Sequence, residues 1–145
     1  MERKPQNLAN HVKFDPPFHF FLLPLLLVTL ILAVVHLVRH YDNVTPWILM
    51  LLAIAVTLAG LRARIYALKV QDRLIRLEER MRIGTICADP VRSRIGDLTE
   101  SQLVALRFAS DAELPGLVER ALSQSLSNKD IKKAVVNWRP DYFRV

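Results

Sequence analysis

The sequence predicts an all-α membrane protein, in which a two-span transmembrane hairpin extends its second helix into the cytoplasm and a small helical C-terminal bundle follows. Composition and its distribution predict this class. The 145 residues are 52% hydrophobic and 23% charged, yet residues 18–38 and 44–61 contain no Asp, Glu, Lys or Arg. About 20 helical residues cross roughly 30 Å of hydrocarbon. Each stretch is therefore long enough to span a lipid bilayer within a hairpin over residues 16–61.

A short tail, residues 1–15, precedes the first span. Asp15 stands before two prolines, a pattern typical of a helix start. Pro24 lies inside the span, where it removes a hydrogen bond to the carbonyl of Phe20 and is expected to bend the helix. The stretch is longer than the apolar region of a signal peptide and lacks a small-residue cleavage site. We therefore expect it to remain as a membrane span.

The basic residues that flank the spans predict their orientation. Arg3, Lys4 and Lys13 precede the first span and a basic run follows the second, whereas the connecting loop contains only Arg39. Lys and Arg are enriched on the cytoplasmic side of membrane proteins. Both termini are therefore expected in the cytoplasm. The short loop requires the two spans to be antiparallel neighbours, and Thr45 before a proline marks the start of the second.

The second helix is expected to continue through a basic amphipathic segment, residues 62–83, and to stop at Gly84. Apolar residues along it alternate in spacing between three and four, which is the heptad pattern of helices that associate. Small residues suit close packing in lipid, and large ones suit burial in water. The predicted self-association seam comprises Gly60, Ala63, Ala67, Val70, Leu74, Leu77 and Met81, and Val56 and Ala53 extend it upstream.

Charged residues beside the seam favour a parallel homodimer or larger homo-oligomer. Arg73 occupies a g position and Glu78 the following e position, so the two would meet across a parallel seam. Asp72 with Arg76, and Glu78 with Arg82, are also spaced for pairs within one helix. The alternative is that the seam packs inside one chain, against the C-terminal segment.

The basic residues nearest the end of the second span are Arg62, Arg64 and Lys69. Such residues are attracted to anionic lipid head groups. We expect these three to lie at the membrane surface, and the basic residues beyond them only to fix the topology.

The C-terminal part begins with a linker, residues 84–97, because Gly and Pro interrupt any helical period there. Residues 98–145 then show three helix starts, in which Thr99, Ser110 and Ser127 each precede an acid or amide by three residues. Apolar residues keep helical spacing through Trp138, and Pro140 ends the last helix. Acidic residues balance the basic ones in this segment, which argues against a nucleic-acid partner.

No enzyme site can be assembled, since phosphate loops, catalytic triads and paired carboxylates are all lacking in the sequence. His36 and His40 are one helical turn apart, a spacing that can place two imidazoles on one metal ion or haem. No well-placed further ligand follows from the sequence. Cys87 has no nearby Cys, and no cofactor is predicted.

Four stretches carry a resemblance to a known family: QNLANH at 6–11, VQDRLIRLEERMR at 70–82, LTESQLVALRFASDAELPGLVERAL at 98–122 and IKKAVVNWRPDYFRV at 131–145. Over nearly its whole length the chain resembles a bacterial family of short two-span membrane proteins classed only as a domain of unknown function. The resemblance implies a bacterial inner-membrane location and brings no activity, substrate or site residues.

These observations lead to three functional hypotheses. The first is a non-enzymatic, membrane-anchored interaction or scaffold protein that associates with itself or with a partner membrane protein. The second is a haem- or metal-binding redox accessory protein that uses His36 and His40. The third is an accessory subunit of a transporter, since two spans alone cannot easily enclose a path.

Overall fold

The structure is a computed structural model that describes residues 5–11 and 14–142. It is mostly helical, with 71% of the described residues in helices, and the described part contains no β-strand. The chain forms two compact units, one over residues 14–68 and the other from the segment before Phe14 together with residues 69–145. Arg3, Lys4 and Lys13, which the orientation argument used, lie outside the described residues. The expected fold class is confirmed.

The first unit contains two helices joined by the turn at residues 40–43. A π-helical segment, Pro17–Leu22, leads into α1 (Leu23–Arg39), and α2 (Val44–Ile86) contributes its first 25 residues to this unit. The helical stretches Pro17–Arg39 and Val44–Ile86 are both long and apolar enough to cross a membrane.

The start of the first helix differs from the expectation. The carboxylate of Asp15 does not cap the helix but forms an ion pair with Arg64, at 3.1 Å between Oδ2 and Nη1. The backbone N–H of Leu23 donates to the carbonyl of Phe18, which is the wider π-helical pairing. Since Pro24 has no N–H and crowds the preceding turn, a widened turn before it accommodates the ring.

Small and medium side chains form the contact between the two helices of this unit. Leu26 of α1 and Ala53 of α2 are buried. A Cβ atom placed on Gly60 would lie 3.3 Å from Cδ1 of Leu26. At the other end of the hairpin, the indole N–H of Trp47 donates to the carbonyl of Tyr41 at 3.1 Å. The absence of a side chain at Gly60 therefore lets α1 and α2 approach closely.

In the second unit the end of α2 packs with three short helices, α3 (Glu100–Leu106), α4 (Leu114–Ser123) and α5 (Asn128–Ala134). Helix α2 continues past Gly84 to Ile86, and the N–H of Cys87 still donates to the carbonyl of Ile83 at 2.9 Å. Both of those side chains are buried in the core, which holds this last turn in place. Part of the expected linker forms a 3-10 helix, Arg92–Asp97.

Two of the three expected caps are confirmed. Thr99 forms a full capping box with Gln102, and the Ser127 hydroxyl accepts a hydrogen bond from the N–H of Asp130. At the middle helix the Glu113 carboxylate accepts from the N–H of Ser110 at 3.0 Å, but α4 begins only at Leu114. Its proline falls in the first turn, where the missing N–H costs nothing.

The last helix is shorter than predicted, because α5 ends at Ala134 rather than continuing to Trp138. The chain beyond it is extended and pairs with the segment after α3. The N–H of Arg139 donates to the carbonyl of Phe108 at 2.7 Å, and the N–H of Ser110 donates to the carbonyl of Asn137 at 3.1 Å. These long-range hydrogen bonds override the local helical period.

Candidate interaction site on the long helix

Residues 69–86 of α2 have one face buried by the C-terminal helices. Ile75, Glu79 and Ile83 follow one another at intervals of four residues and are 7%, 3% and 0% exposed. Ile83 belongs to the core that α3, α4 and α5 enclose. This row, and not the heptad seam, fixes α2 to the bundle.

The other face of the same segment carries large apolar side chains that the bundle does not cover. At about 100° per residue, Leu77 lies about 160° around the helix from Glu79. Four residues of the predicted seam share this side, and each is more than half exposed: Val70 66%, Leu74 54%, Leu77 56% and Met81 66%. We call these four residues the exposed face. Within one chain these four side chains are thus mostly uncovered, although Leu74 lines a cleft together with Arg139 and Pro140 of the C-terminal segment.

The upper part of the predicted seam has a different environment. Gly60 lies against Leu26 of α1, and Ala53 is buried in the same hairpin. Ala63 is exposed and Ala67 is half-buried. In the upper part of the seam, Gly60 and Ala53 therefore serve the hairpin, whereas the large residues of the lower part remain uncovered.

Charged residues beside the exposed face are arranged only partly as expected. Arg73 and Glu78 are exposed, and neither forms an ion pair within the part of the chain that the structure describes. The expected pairs within the helix are replaced. Arg76 pairs with Glu100 and donates to the backbone carbonyl of Asp72, and Arg82 pairs with acids other than Glu78. Arg73 and Glu78 thus keep the exposed positions that the expected pairing between copies requires.

The basic residues expected at a membrane surface also divide. Arg62 and Lys69 are exposed. Arg64 is mostly buried by its ion pair with Asp15, and its guanidinium lies 5.3 Å from the ring centroid of Phe18. Arg64 therefore holds the end of the hairpin together instead of presenting its charge outward.

A charge network centred on the buried side chains of Glu79 and Arg82, which the sequence did not reveal, joins α2 to the bundle. Glu79 contacts Arg82 at 3.1 Å and Arg139 at 3.4 Å, and Arg82 also contacts Asp111 at 2.5 Å. Glu79, Arg82 and Arg139 border a cleft of about 510 Å³. In the sequence, Glu79 is four residues from both Ile75 and Ile83, a spacing that places all three on one face of the helix. The overlapping heptad pattern made this face difficult to recognise.

The network shifts the titration of two acids in opposite directions. Burial raises the pKa of Glu79 above its ordinary value of 4.5, and the charge and hydrogen bond of Arg82 only partly offset this. The hydrogen bond and charge of Arg82 lower the pKa of Asp111 below its ordinary value of 3.8. Burial therefore makes Glu79 harder to ionise, whereas Arg82 makes Asp111 easier to ionise.

The predicted histidine pair lies at the end of α1. The rings of His36 and His40 have centroids 4.9 Å apart. Over residues 5–11 and 14–142, no group of three or more His, Cys, Asp or Glu side chains could hold a metal ion. Cys87 is buried in the bundle core, and burial raises the pKa of its thiol. Burial therefore gives Cys87 a packing role and keeps the thiol protonated.

Part of the amino-terminal segment, which the sequence predicts to be a short tail, packs on the C-terminal bundle. The side-chain amide of Gln6 makes two hydrogen bonds to the backbone of Asp141, at 2.8 and 3.1 Å. The ring of His11 contacts those of Phe108 and Trp138, with centroids 5.6 and 5.8 Å away. This contact joins residues near the two ends of the sequence in one unit.

Comparisons with known proteins identify a family. The model of a family of unknown function, DUF6526, matches residues 1–145. No curated protein matches the chain. No solved structure matches it either. The chain therefore belongs to the family of unknown function DUF6526.

Proposed function

We propose that this chain is a non-enzymatic, membrane-anchored interaction protein that associates with a second copy of itself through the exposed face of α2. The anchor would be the hairpin of α1 and α2, in the inner membrane of a bacterium. Two helices of sufficient length and apolarity support this role. The C-terminal bundle would then be held near the membrane in paired copies.

The contact between the two ends of the chain supports the proposed topology. Gln6 and His11 pack on the bundle, so residues on either side of the hairpin share one compact unit. Two membrane crossings return the chain to the side where it began. The exposed basic residues Arg62 and Lys69 suit the cytoplasmic side, because Lys and Arg are enriched there.

The observation that carries the proposal is the exposure of Val70, Leu74, Leu77 and Met81 on the face of α2 that the bundle leaves uncovered. Burial of apolar surface away from water contributes a favourable free energy of about 25 cal/mol per Å². A row of such residues on one helix marks an interaction site. The bundle already occupies the opposite face, so a partner must supply the cover.

A second copy suits this face better than an unrelated partner, because the face is complementary to itself. Its residues are separated by four, three and four, so two parallel copies can interlock them. Copies inserted in a membrane with the same orientation are parallel. Arg73 of one copy would then meet Glu78 of the other, which selects register at a few tenths of a kcal/mol per pair.

Disulfide trapping in membranes tests the proposal. Val70 occupies a d position, where the side chains of two parallel helices approach each other. The full chain with Val70→Cys, expressed in bacterial membranes and oxidised mildly, is expected to form a disulfide-linked dimer. Adding Leu74→Glu and Leu77→Glu should abolish the dimer, because four carboxylates would be buried at the interface.

The matched control is Val136→Glu in the Val70→Cys background. Val136 is 80% exposed on the bundle, so this change adds a charge without touching the exposed face, and the dimer should persist. If the amount of dimer is the same with and without Leu74→Glu and Leu77→Glu, self-association at this face is refuted. The alternative result is that a different membrane protein stays bound in mild detergent and is lost when Leu74→Glu and Leu77→Glu are introduced. That result would identify this protein, and not a second copy of the chain, as the partner of the exposed face.

A further inference from the structure

An apolar groove runs along the hairpin, between α1 and the first part of α2. It encloses about 450 Å³, which is within the range of small-molecule sites. Apart from Thr29 and His36 its lining is apolar, and the small side chains of Ala33 and Ala53 leave room between the helices. The lining residues of α1 extend from Thr29 to His36, so the groove is about 10 Å long at 1.5 Å per residue.

The two ends of the groove differ in polarity. At the end farther from the turn, the hydroxyl of Thr29 donates to the carbonyl of Leu25 at 2.8 Å and is satisfied within α1. At the end nearer the turn, His36 lines the groove, and the ring centroid of His40 lies 4.9 Å from that of His36. An imidazole has at least one N–H donor whether it is neutral or charged. The groove is therefore apolar along its length and offers hydrogen-bond donors at one end.

The charged residues at the polar end favour an acceptor there. Arg39 is exposed in the last turn of α1 and formally balances Asp42 in the turn, whose carboxylate accepts from the side-chain amide of Asn43 at 3.4 Å. The imidazoles of His36 and His40 add donors to this balance, and add positive charge when they are protonated. Among acceptors a carboxylate forms the strongest bonds to such donors, because its charge assists them.

The position of His36 limits the kind of molecule that can present this carboxylate. His36 lines the same groove as Leu32 and Leu49, so the acceptor must be joined directly to an apolar chain. A fatty acid has this construction. In a phospholipid the group joined to the chain is a neutral ester, which is a weaker acceptor than a carboxylate, and a second chain accompanies the first.

We propose that this groove binds a long-chain fatty acid, with the chain between α1 and α2 and the carboxylate at His36 and His40. With the hairpin in a membrane, as proposed above, the turn end of the groove lies at the bilayer surface and the other end lies within the hydrocarbon. A fatty acid in a lipid leaflet has the same orientation. The inference rests on the proposed membrane anchor and does not depend on self-association.

Photolabelling of the full chain in non-ionic detergent micelles tests the site. The probe is palmitate with a diazirine on its chain, and the competitors are unlabelled palmitate, methyl palmitate and phosphatidylglycerol. Palmitate should compete about tenfold better than methyl palmitate, because only the acid offers a charged acceptor. The Leu74→Glu and Leu77→Glu variant should be labelled as strongly as the unmodified chain. Retention of the chain in alkaline-washed membranes tests the anchor separately, so failure of either proposal can be distinguished from failure of the groove.

Two variants and a matched control locate the site. Ala33→Leu fills the groove and should reduce labelling about tenfold, since it displaces about two methylene groups of the chain. Ala55→Leu is the control, because Ala55 is exposed and does not line the groove. His36→Leu with His40→Leu removes both donors, so palmitate should compete no better than methyl palmitate. This readout is a ratio, and it remains decisive if Ala33→Leu distorts the hairpin.

Three results would overturn the proposal. The first is equal competition by palmitate and methyl palmitate in the unmodified chain, which would show that the carboxylate is not recognised. The second is competition by phosphatidylglycerol as strong as that by palmitate, which would identify an ordinary lipid contact. The third is equal labelling of Ala33→Leu and Ala55→Leu, which would place the probe outside the groove.

Discussion

The two parts of α2 differ in how they use their side chains. Residues 44–68 pack small residues against α1, with Gly60 beside Leu26, whereas residues 69–86 bury large ones in the bundle and expose other large ones. In lipid, close backbone approach is the main source of helix packing, and in water the area removed from solvent is the main source. With the hairpin in a membrane, as proposed above, one helix would follow two packing rules, and its apolar residues would have to be interpreted separately in each part.

The largest expected effect separates the two faces of residues 69–86. Ile83 is fully buried and Leu77 is 56% exposed. Ile83→Ala should lower the free energy of unfolding by about 2–4 kcal/mol, because it leaves a cavity in the bundle core. Leu77→Ala should change it by less than about 0.5 kcal/mol. Denaturant unfolding, followed by Trp138 fluorescence in a Trp47→Phe background and at high detergent-to-chain ratio, measures both.

Equal losses for the two variants would contradict the assignment of the exposed face. The high ratio of detergent matters, because association between copies would add an apparent stability that depends on concentration. Under those conditions Leu77 makes only its contacts within one chain.

The next effect concerns the hairpin. Gly60→Leu would drive a side chain into Leu26, since a bare Cβ would already lie 3.3 Å from it. We expect the hairpin to lose about 1–3 kcal/mol from overpacking, measured by its unfolding in mixed micelles with increasing SDS. Gly116→Ala is the matched control, because nothing lies within 4 Å of its added methyl group. A loss as large for Gly116→Ala as for Gly60→Leu would contradict close approach at Gly60.

The smallest effect is a pH dependence that comes from Glu79. Because burial raises its pKa in the fold, the folded chain binds this proton more tightly than the unfolded chain. Stability from this group therefore falls as the pH rises above 4.5 and through the folded pKa. Glu79→Gln should remove that slope while keeping a similar shape. The measurement is the difference in unfolding midpoint between unmodified chain and variant at several pH values above 4.5.

Taking the difference cancels the contributions that the two chains share. Asp111 acts in the opposite sense, because its lowered pKa supplies stability above 3.8 that is lost on further acidification. If the stability of the Glu79→Gln variant falls as steeply with pH as that of the unmodified chain, the pH dependence does not come from Glu79.

The sequence by itself determined the features that depend on local composition. The uncharged stretches specify two helices long enough to cross a membrane, and Thr99 and Ser127 specify their caps, because a side-chain oxygen three residues from a free N–H forms its bond locally. The spacing of Val70, Leu74, Leu77 and Met81 also identified the residues that remain exposed.

Only the tertiary structure decided which face of α2 the bundle covers and where the last helix ends. Both Ile75–Glu79–Ile83 and the heptad row are helical patterns, and the choice between them depends on which row fits the bundle core. Arg139 ends the helical period through a hydrogen bond to Phe108, and Gln6 finds Asp141 across 135 residues of sequence. Such contacts form between segments that are distant in the sequence, so no local pattern encodes them.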